Sequence, residues 1–191
     1  MGFFDVITGR RKPKQPAPTD RVFAMSTAAV TLELELGLKG TGEAGIVFQP
    51  LATADFDGIV RDMEEVVQGT GEETGTTVKR LDDDFGYRWM VLADPEFEDL
   101  VVGINAVSTA LEAGGYGDRI LCAVFAFRDE AHKPVYWIYN YKRGAFYPFV
   151  PSGGAQQRDN ERELRLKAQI GRELPVEAEL ERWFPLWGIP I

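Results

Sequence analysis

The sequence predicts an α+β fold: a single domain in which a mainly antiparallel sheet of about five to six strands is flanked by helices. Three observations predict it. The run from Lys133 to Phe149 holds Tyr136, Trp137, Tyr139, Tyr141, Phe146, Tyr147 and Phe149 in two β-prone halves that meet at Lys142-Arg143-Gly144. The later strands are separated by short turns, which suit hairpins and not the long crossovers of a parallel sheet. Helical spacing appears before, between and after them.

In chain order, residues 1–19 read as a basic head: a short amphipathic helix over residues 2–9, then a linker stiffened by Pro13, Pro16 and Pro18. Residues 20–191 are the α+β domain. Asp20 is placed to cap a helix reaching Leu36, with Val22, Phe23, Ala29, Val30 and Leu34 near one face and Gly37 as its stop. Ala44 to Gln49 reads as a short strand. Phe56, Ile59, Val60, Met63 and Val67 give helical spacing from Asp55 to Gln68, and the Gly, Thr and Glu residues from Gly69 to Gly75 read as an exposed loop. Thr76–Leu81 and Tyr87–Leu92 pair around the turn from Asp82 to Gly86. Pro95 sits in the first turn of the next helix, whose Leu100, Ile104, Val107 and Leu111 share a face until Gly114-Gly115. Ile120 to Phe127 is apolar at successive positions, so it is a central strand covered on both faces. After the aromatic hairpin, a charged helix spans Asp159 to Leu174, and a final short helix begins after Pro175.

Composition narrows the function. The chain has 191 residues, 45% of them hydrophobic and 27% charged, the balance of a globular protein. A formal charge of −9 argues against nucleic acid as a partner, because phosphate contacts need clustered Lys and Arg. One Cys excludes an intrachain disulfide and fits a reducing compartment. No apolar run approaches the roughly 18–20 residues that span a bilayer. The N-terminal apolar residues precede the charges, the reverse of a secretory signal, so a cytoplasmic location is expected.

Chemistry-bearing side chains are scarce. The sole histidine, His132, lies in a polar turn with no nucleophile beside it, and Cys122 alternates with Ile120 and Val124 in a buried strand. Asp82-Asp83-Asp84 has carboxylates suited to a hard cation, yet consecutive turn residues rarely converge on one ion, so a solvated turn is expected. Tyr139 or Tyr141 with Lys142 has the residue types of tyrosine–lysine acid–base chemistry, but no Gly-rich nucleotide loop accompanies them. No catalytic residue, metal ligand or cofactor is therefore assigned. An enzyme using Tyr139, Tyr141 and Lys142 stays as one alternative.

Two surfaces invite partners. Tyr139, Tyr141, Lys142, Arg143, Phe146 and Tyr147 from the aromatic hairpin, with Trp183 and Trp187 from the C-terminal cluster, are the candidate partner-binding residues. The C-terminal cluster reads either as a plug on the sheet or as an exposed docking patch. Phe3, Phe4 and Ile7 followed by Arg10, Arg11 and Lys12 combine apolar insertion with cationic attraction, the ingredients of weak contact with an anionic membrane. The same residues suit docking on a partner, or neither. An aromatic sheet edge is also compatible with a homodimer.

Several segments together carry a resemblance: Met1-Gly2-Phe3-Phe4-Asp5 with Gly9-Arg10, then Asp84-Phe85-Gly86-Tyr87-x-Trp89, and Leu121-Cys122 with Phe127-Arg128-Asp129. Tyr139-x-Tyr141-Lys142-Arg143-Gly144-x-Phe146-Tyr147-Pro148-Phe149 continues it, as do Arg158-Asp159-Asn160, Glu173-Leu174-Pro175-Val176-Glu177 and Arg182-Trp183-Phe184-Pro185-x-Trp187-Gly188. The ordered set resembles the PspAB family of PspA-associated proteins found in actinobacteria and some archaea. The resemblance implies a link with PspA, a coiled-coil protein of the phage-shock envelope-stress system that acts at the inner face of the cytoplasmic membrane. It implies no catalytic residue and no cofactor. By element order the later part is also similar to YbjN and type III secretion chaperone folds, a likeness of fold that carries function weakly.

Overall fold

Alternation within each strand sorts the apolar residues into two sets, and the structure covers both faces of the sheet they create. The computed structural model describes residues 20–154 and 156–191. Strands β1 (Lys39–Phe48), β2 (Thr77–Asp82), β3 (Arg88–Ala93), β4 (Ile120–Arg128), β5 (Pro134–Asn140) and β6 (Ala145–Phe149) form one sheet in the order β2-β3-β1-β4-β5-β6. Every neighbouring pair is antiparallel. With helices α1 (Ala24–Leu36), α2 (Ala54–Thr74), α3 (Phe97–Ala113) and α4 (Asn160–Ile170), this is the α+β single domain that the sequence predicts.

The first face carries Ile46, Phe48, Leu92, Phe125, Trp137, Tyr139 and Phe146, all fully buried. Helices α1, α2 and α3 lay their apolar stripes on it, and Leu166 and Ile170 of α4 join the same core. Each large side chain so buried contributes roughly 1.5–3 kcal/mol relative to exposure. The second face carries Val47, Trp89, Val91, Cys122, Val124, Ile138, Tyr147 and Phe149. The C-terminal residues from Trp183 onward cross it as an irregular strap.

The structure revises several element boundaries. Strand β1 starts at Lys39, five residues before Ala44, because a register shift between Gly40 and Ala44 carries it past Gly42. Gly42 has φ +80 and its carbonyl accepts the Asp94 N–H at 3.0 Å, and a Cβ there would lie 3.1 Å from the Asp94 oxygen. Helix α2 continues to Thr74, through the stretch read from sequence as a loop. Extending a nucleated helix costs little per residue, so scattered glycines at about 1 kcal/mol each do not stop it. Pro95 lies just ahead of α3, where the Asp94 carboxylate accepts the Glu96 N–H at 2.8 Å. Helix α4 is capped by Asp159, which accepts the Arg162 N–H at 2.9 Å. The final short helix begins only at Leu180, and the residues directly after Pro175 are not helical. That stretch instead makes a parallel bridge to β6, with the Phe146 N–H donating to the Pro175 carbonyl and the Glu177 N–H to the Phe146 carbonyl, each at 2.8 Å. A 3-10 turn over Leu180–Arg182 then leads into the strap.

The buried stripe of α1 also differs from the expected one. Met25, Ala28 and Leu32 face the core together with Val22 from the preceding 3-10 turn, whereas Val30 and Leu34 are 58% and 79% exposed. Asp20 opens the 3-10 turn Asp20–Phe23, and the residue capping α1 is Phe23, without a side-chain bond.

Candidate functional site

The strap is tied down by ring packing and by side-chain hydrogen bonds to and from its backbone and anchor. Trp183 is 5% exposed, stacks on Tyr147 with ring centroids 6.3 Å apart, and donates its indole N–H to the Glu177 carbonyl at 3.1 Å. The Tyr147 hydroxyl donates to the Phe184 carbonyl at 3.0 Å, and the Tyr136 hydroxyl to that of Ile191 at 3.0 Å. Trp187 meets Phe149 edge-on at 5.0 Å. Burial holds the Tyr147 phenol well above its ordinary pKa, so it is a hydrogen-bond donor at neutral pH.

Two ion pairs brace this frame. Arg158 grips Glu163 at 2.7 Å, donates to the Trp183 carbonyl at 2.6 Å and lies over the Phe149 ring. Glu163 is 1% exposed and also accepts the Val150 N–H at 2.9 Å; burial raises its carboxyl despite these bonds. Arg143 pairs with Glu177 at 2.7 Å and Glu179 at 3.1 Å, and its hydrogen bond holds the Glu177 carboxyl below the usual range.

Where the strap leaves the sheet, it opens a groove of about 510 Å³. Its floor is Val47, Trp89, Cys122 and Tyr147. One wall is the strap from Phe184 to Trp187, the other the β2–β3 turn with Phe85 and Tyr87, and Asn140 and Lys142 stand at the β5–β6 end. Phe85 and Phe184 are 75% and 59% exposed. The turn holding Phe85 is organised by Asp83, whose Oδ1 accepts the N–H groups of Phe85 and Tyr87 at 2.9 Å while Oδ2 accepts the Trp89 indole N–H at 3.0 Å. Asp82 pairs with Arg88 at 2.7 Å. Two of the three aspartates are thus engaged in shaping the turn. Among the described residues, no group of three or more His, Cys, Asp or Glu side chains is placed to hold a metal ion.

The candidate residues separate by strand parity. Lys142, Tyr147 and Trp187 come together at the groove, and Trp183 is the buried anchor of its strap wall. Arg143 is engaged with Glu177 and Glu179. Tyr139, Tyr141 and Phe146 lie in the core beneath the helices, where a partner on the surface does not reach them. The Tyr139 and Tyr141 rings pack edge to face at 5.0 Å, and burial raises the Tyr141 phenol, the opposite of what an acid–base tyrosine requires. His132 is an exposed residue of the β4–β5 turn at φ +59, and Cys122 is buried with its thiol pushed up to about 12. Phe3, Phe4, Ile7, Arg10, Arg11 and Lys12 lie outside the described residues, as does the whole head. Sequence reasoning missed Phe85 as a surface aromatic, whereas Phe184 belongs to the C-terminal cluster read as either plug or docking patch, which the structure divides into a buried Trp183 and an exposed Phe184. The usable signal is a phenylalanine inside an Asp-rich turn, where no core position is available.

The groove has an apolar floor, the exposed Phe85 and Phe184 in its walls, and Lys142 at its end. The family sequence model described as PspAB, PspA associated protein B, matches residues 1–191. The chain belongs to the PspA associated protein B family. Membership fits an accessory role linked to PspA. No curated protein and no solved structure matches the chain. Among the described residues, no helix is long and apolar enough to cross a membrane.

Proposed function

We propose that this protein is a non-enzymatic cytoplasmic adaptor of a PspA-type, phage-shock envelope-stress response, acting by protein–protein binding at the inner face of the cytoplasmic membrane. The observation that carries the reading is the groove. Two exposed phenylalanines stand on a frame locked by Trp183, Arg158 and Asp83, and exposed aromatics on rigid supports are the usual anchors of protein interfaces. The partner is a PspA-type coiled-coil protein, in keeping with the family description, and an apolar helix face is the kind of ligand that an apolar groove takes.

Affinity capture from envelope-stressed cells tests this. The wild-type chain recovers the PspA-type protein and the Phe85→Glu/Phe184→Glu variant does not. Failure of the wild type to recover it refutes the adaptor role; equal recovery by both chains refutes the groove as its site.

A second reading rests on the head, where Phe3, Phe4 and Ile7 precede Arg10, Arg11 and Lys12: peripheral binding to anionic lipid. Flotation with anionic vesicles distinguishes it. Binding that survives Phe3→Asp/Phe4→Asp/Ile7→Asp excludes the head as the lipid contact.

A further inference from the structure

The groove uses one side of the sheet, and the helical layer on the other side carries an apolar cleft of its own. Ile59, Met63 and Val66 of α2 and Ala106 and Ala110 of α3 line, with Asp62, a cleft of about 170 Å³. Val66 is 62% exposed, and Val102, one turn from Ala106, is 49% exposed. Leu100 to Leu111 holds no charged residue, although Val102, Ala106 and Thr109 within it are exposed. On a chain that is 27% charged, an outward helix face without charge is a contact surface. Its two alanines end at Cβ, which lets a third helix lie close in the seam. From Glu98 to Ala113, α3 is about 22 Å long at ~1.5 Å per residue, the length of roughly 15 residues of helix.

Charge selects the occupant. Helix α2 holds seven Asp and Glu and α3 holds three, against Arg61 as their only base, so the two helices carry a formal −9, equal to that of the whole chain. The basic groups near α2 stand on its other flank. There Arg61, Arg80 and Arg88 line a separate cleft with Asp57 and Glu64, and these two acids pair with Arg88 and Arg80 at 3.5 Å. Among the described residues, neither Asp62 nor Glu65, both exposed, has an ion-pair partner. Glu98 is exposed one turn before Val102. A second copy of the chain would set these acids against themselves, and an anionic membrane would meet the same repulsion. We propose that the α2–α3 seam binds a cationic amphipathic helix, with its apolar stripe on Val66, Val102 and Ala106 and its Lys or Arg side chains against Asp62, Glu65 and Glu98, supplied by a protein other than the one in the groove. The sheet separates the two sites, so the chain holds both partners at once.

The test titrates the purified full chain into a fluorescein-labelled peptide of leucine and lysine, about 15 residues long with its leucines at helical spacing, and reads fluorescence anisotropy. No PspA-type protein is present, so the result stands apart from the capture experiment. Wild type binds this peptide and does not bind the counterpart in which glutamate replaces lysine. Asp62→Lys/Glu65→Lys weakens binding about 10-fold or more. Glu33→Lys/Glu35→Lys, an equal change of net charge at exposed residues of α1, weakens it less than about 2-fold. Val66→Ser/Val102→Ser, at exposed positions that cost the fold little, weakens it about 5-fold or more. No binding by the wild type, equal binding of the two peptides, equal losses from the two charge reversals, or full binding by the serine variant overturns the proposal.

Discussion

Replacing Trp183 by Ala removes the strap's principal anchor, and its cost follows from what the ring touches. The side chain is 5% exposed, stacks on Tyr147, lies under the Lys167 ammonium at 5.4 Å, and donates to the Glu177 carbonyl. Truncating a buried Trp to Ala costs about 3–5 kcal/mol, a figure that includes the cavity left behind. The indole hydrogen bond accounts for about 1 kcal/mol of it. Taking about 4 kcal/mol against a total stability of about 5–15 kcal/mol, the variant keeps its fold with a much smaller margin. For a domain of this size that is a fall in Tm of about 8–16 °C. Urea unfolding followed by far-UV circular dichroism measures it. Phe184→Ala serves as the internal comparison: the ring is 59% exposed, so its loss costs less than about 1 kcal/mol. A Trp183→Ala protein within 1 kcal/mol of wild type would refute the argument that the strap is a packed layer of the domain.

Three further outcomes follow from the same geometry. Gly103→Ala on α3 drives a Cβ into a methyl of the buried Leu92, and overpacking there lowers stability by about 1–3 kcal/mol in the same unfolding assay; an unchanged midpoint would contradict the close contact of α3 with the sheet. The Glu177 carboxyl is held below its ordinary 4.5 by Arg143, so its contribution is present above about pH 4.5 and lost as pH falls through the lower folded value. The Tm gap between wild type and Glu177→Gln accordingly narrows from pH 7 to pH 3, and a gap that widens on acidification would reverse the assignment. Burial pushes the Cys122 thiol up to about 12, so at pH 8 the native thiol reacts with iodoacetamide about 10³-fold more slowly than the unfolded chain; native and unfolded rates within tenfold of each other would show that the thiol is not buried.

Much of the fold is written in local pattern. The regular spacing of Leu100, Ile104, Val107 and Leu111 fixes α3, and the aromatic density either side of Gly144 fixes the β5–β6 hairpin, where φ +60 is reached at Gly144 itself. Where pattern is degenerate, the reading slips. Helix α1 has apolar residues around much of its circumference, so Val30 and Leu34 compete with Met25 and Leu32 for the inward stripe, and tertiary packing decides. The glycines of α2 and the residues after Pro175 mislead for the opposite reason, because propensity yields to helix extension in one case and to pairing with Phe146 in the other.

The site was half legible. Tyr147 and Phe146 are adjacent, equally aromatic and equally buried, yet the register that pairs Tyr139 with Phe146 and Ile138 with Tyr147 sends them to opposite faces. Period-two alternation distinguishes the faces but not which is roofed by helices and which by a strap, because both are apolar. Phe85 and Phe184 line the same groove although 99 positions separate them in sequence, and that arrangement depends on the strap's path, which no local signal encodes.

The account stands most directly on whether a PspA-type protein occupies the groove. Hydrogen–deuterium exchange of the purified chain, with and without that protein, reads it out by position. The account predicts new protection in residues 83–87 and 183–188, with the α2 and α3 surface unchanged. Protection confined to the helical face, or binding without any change at those two segments, would contradict it.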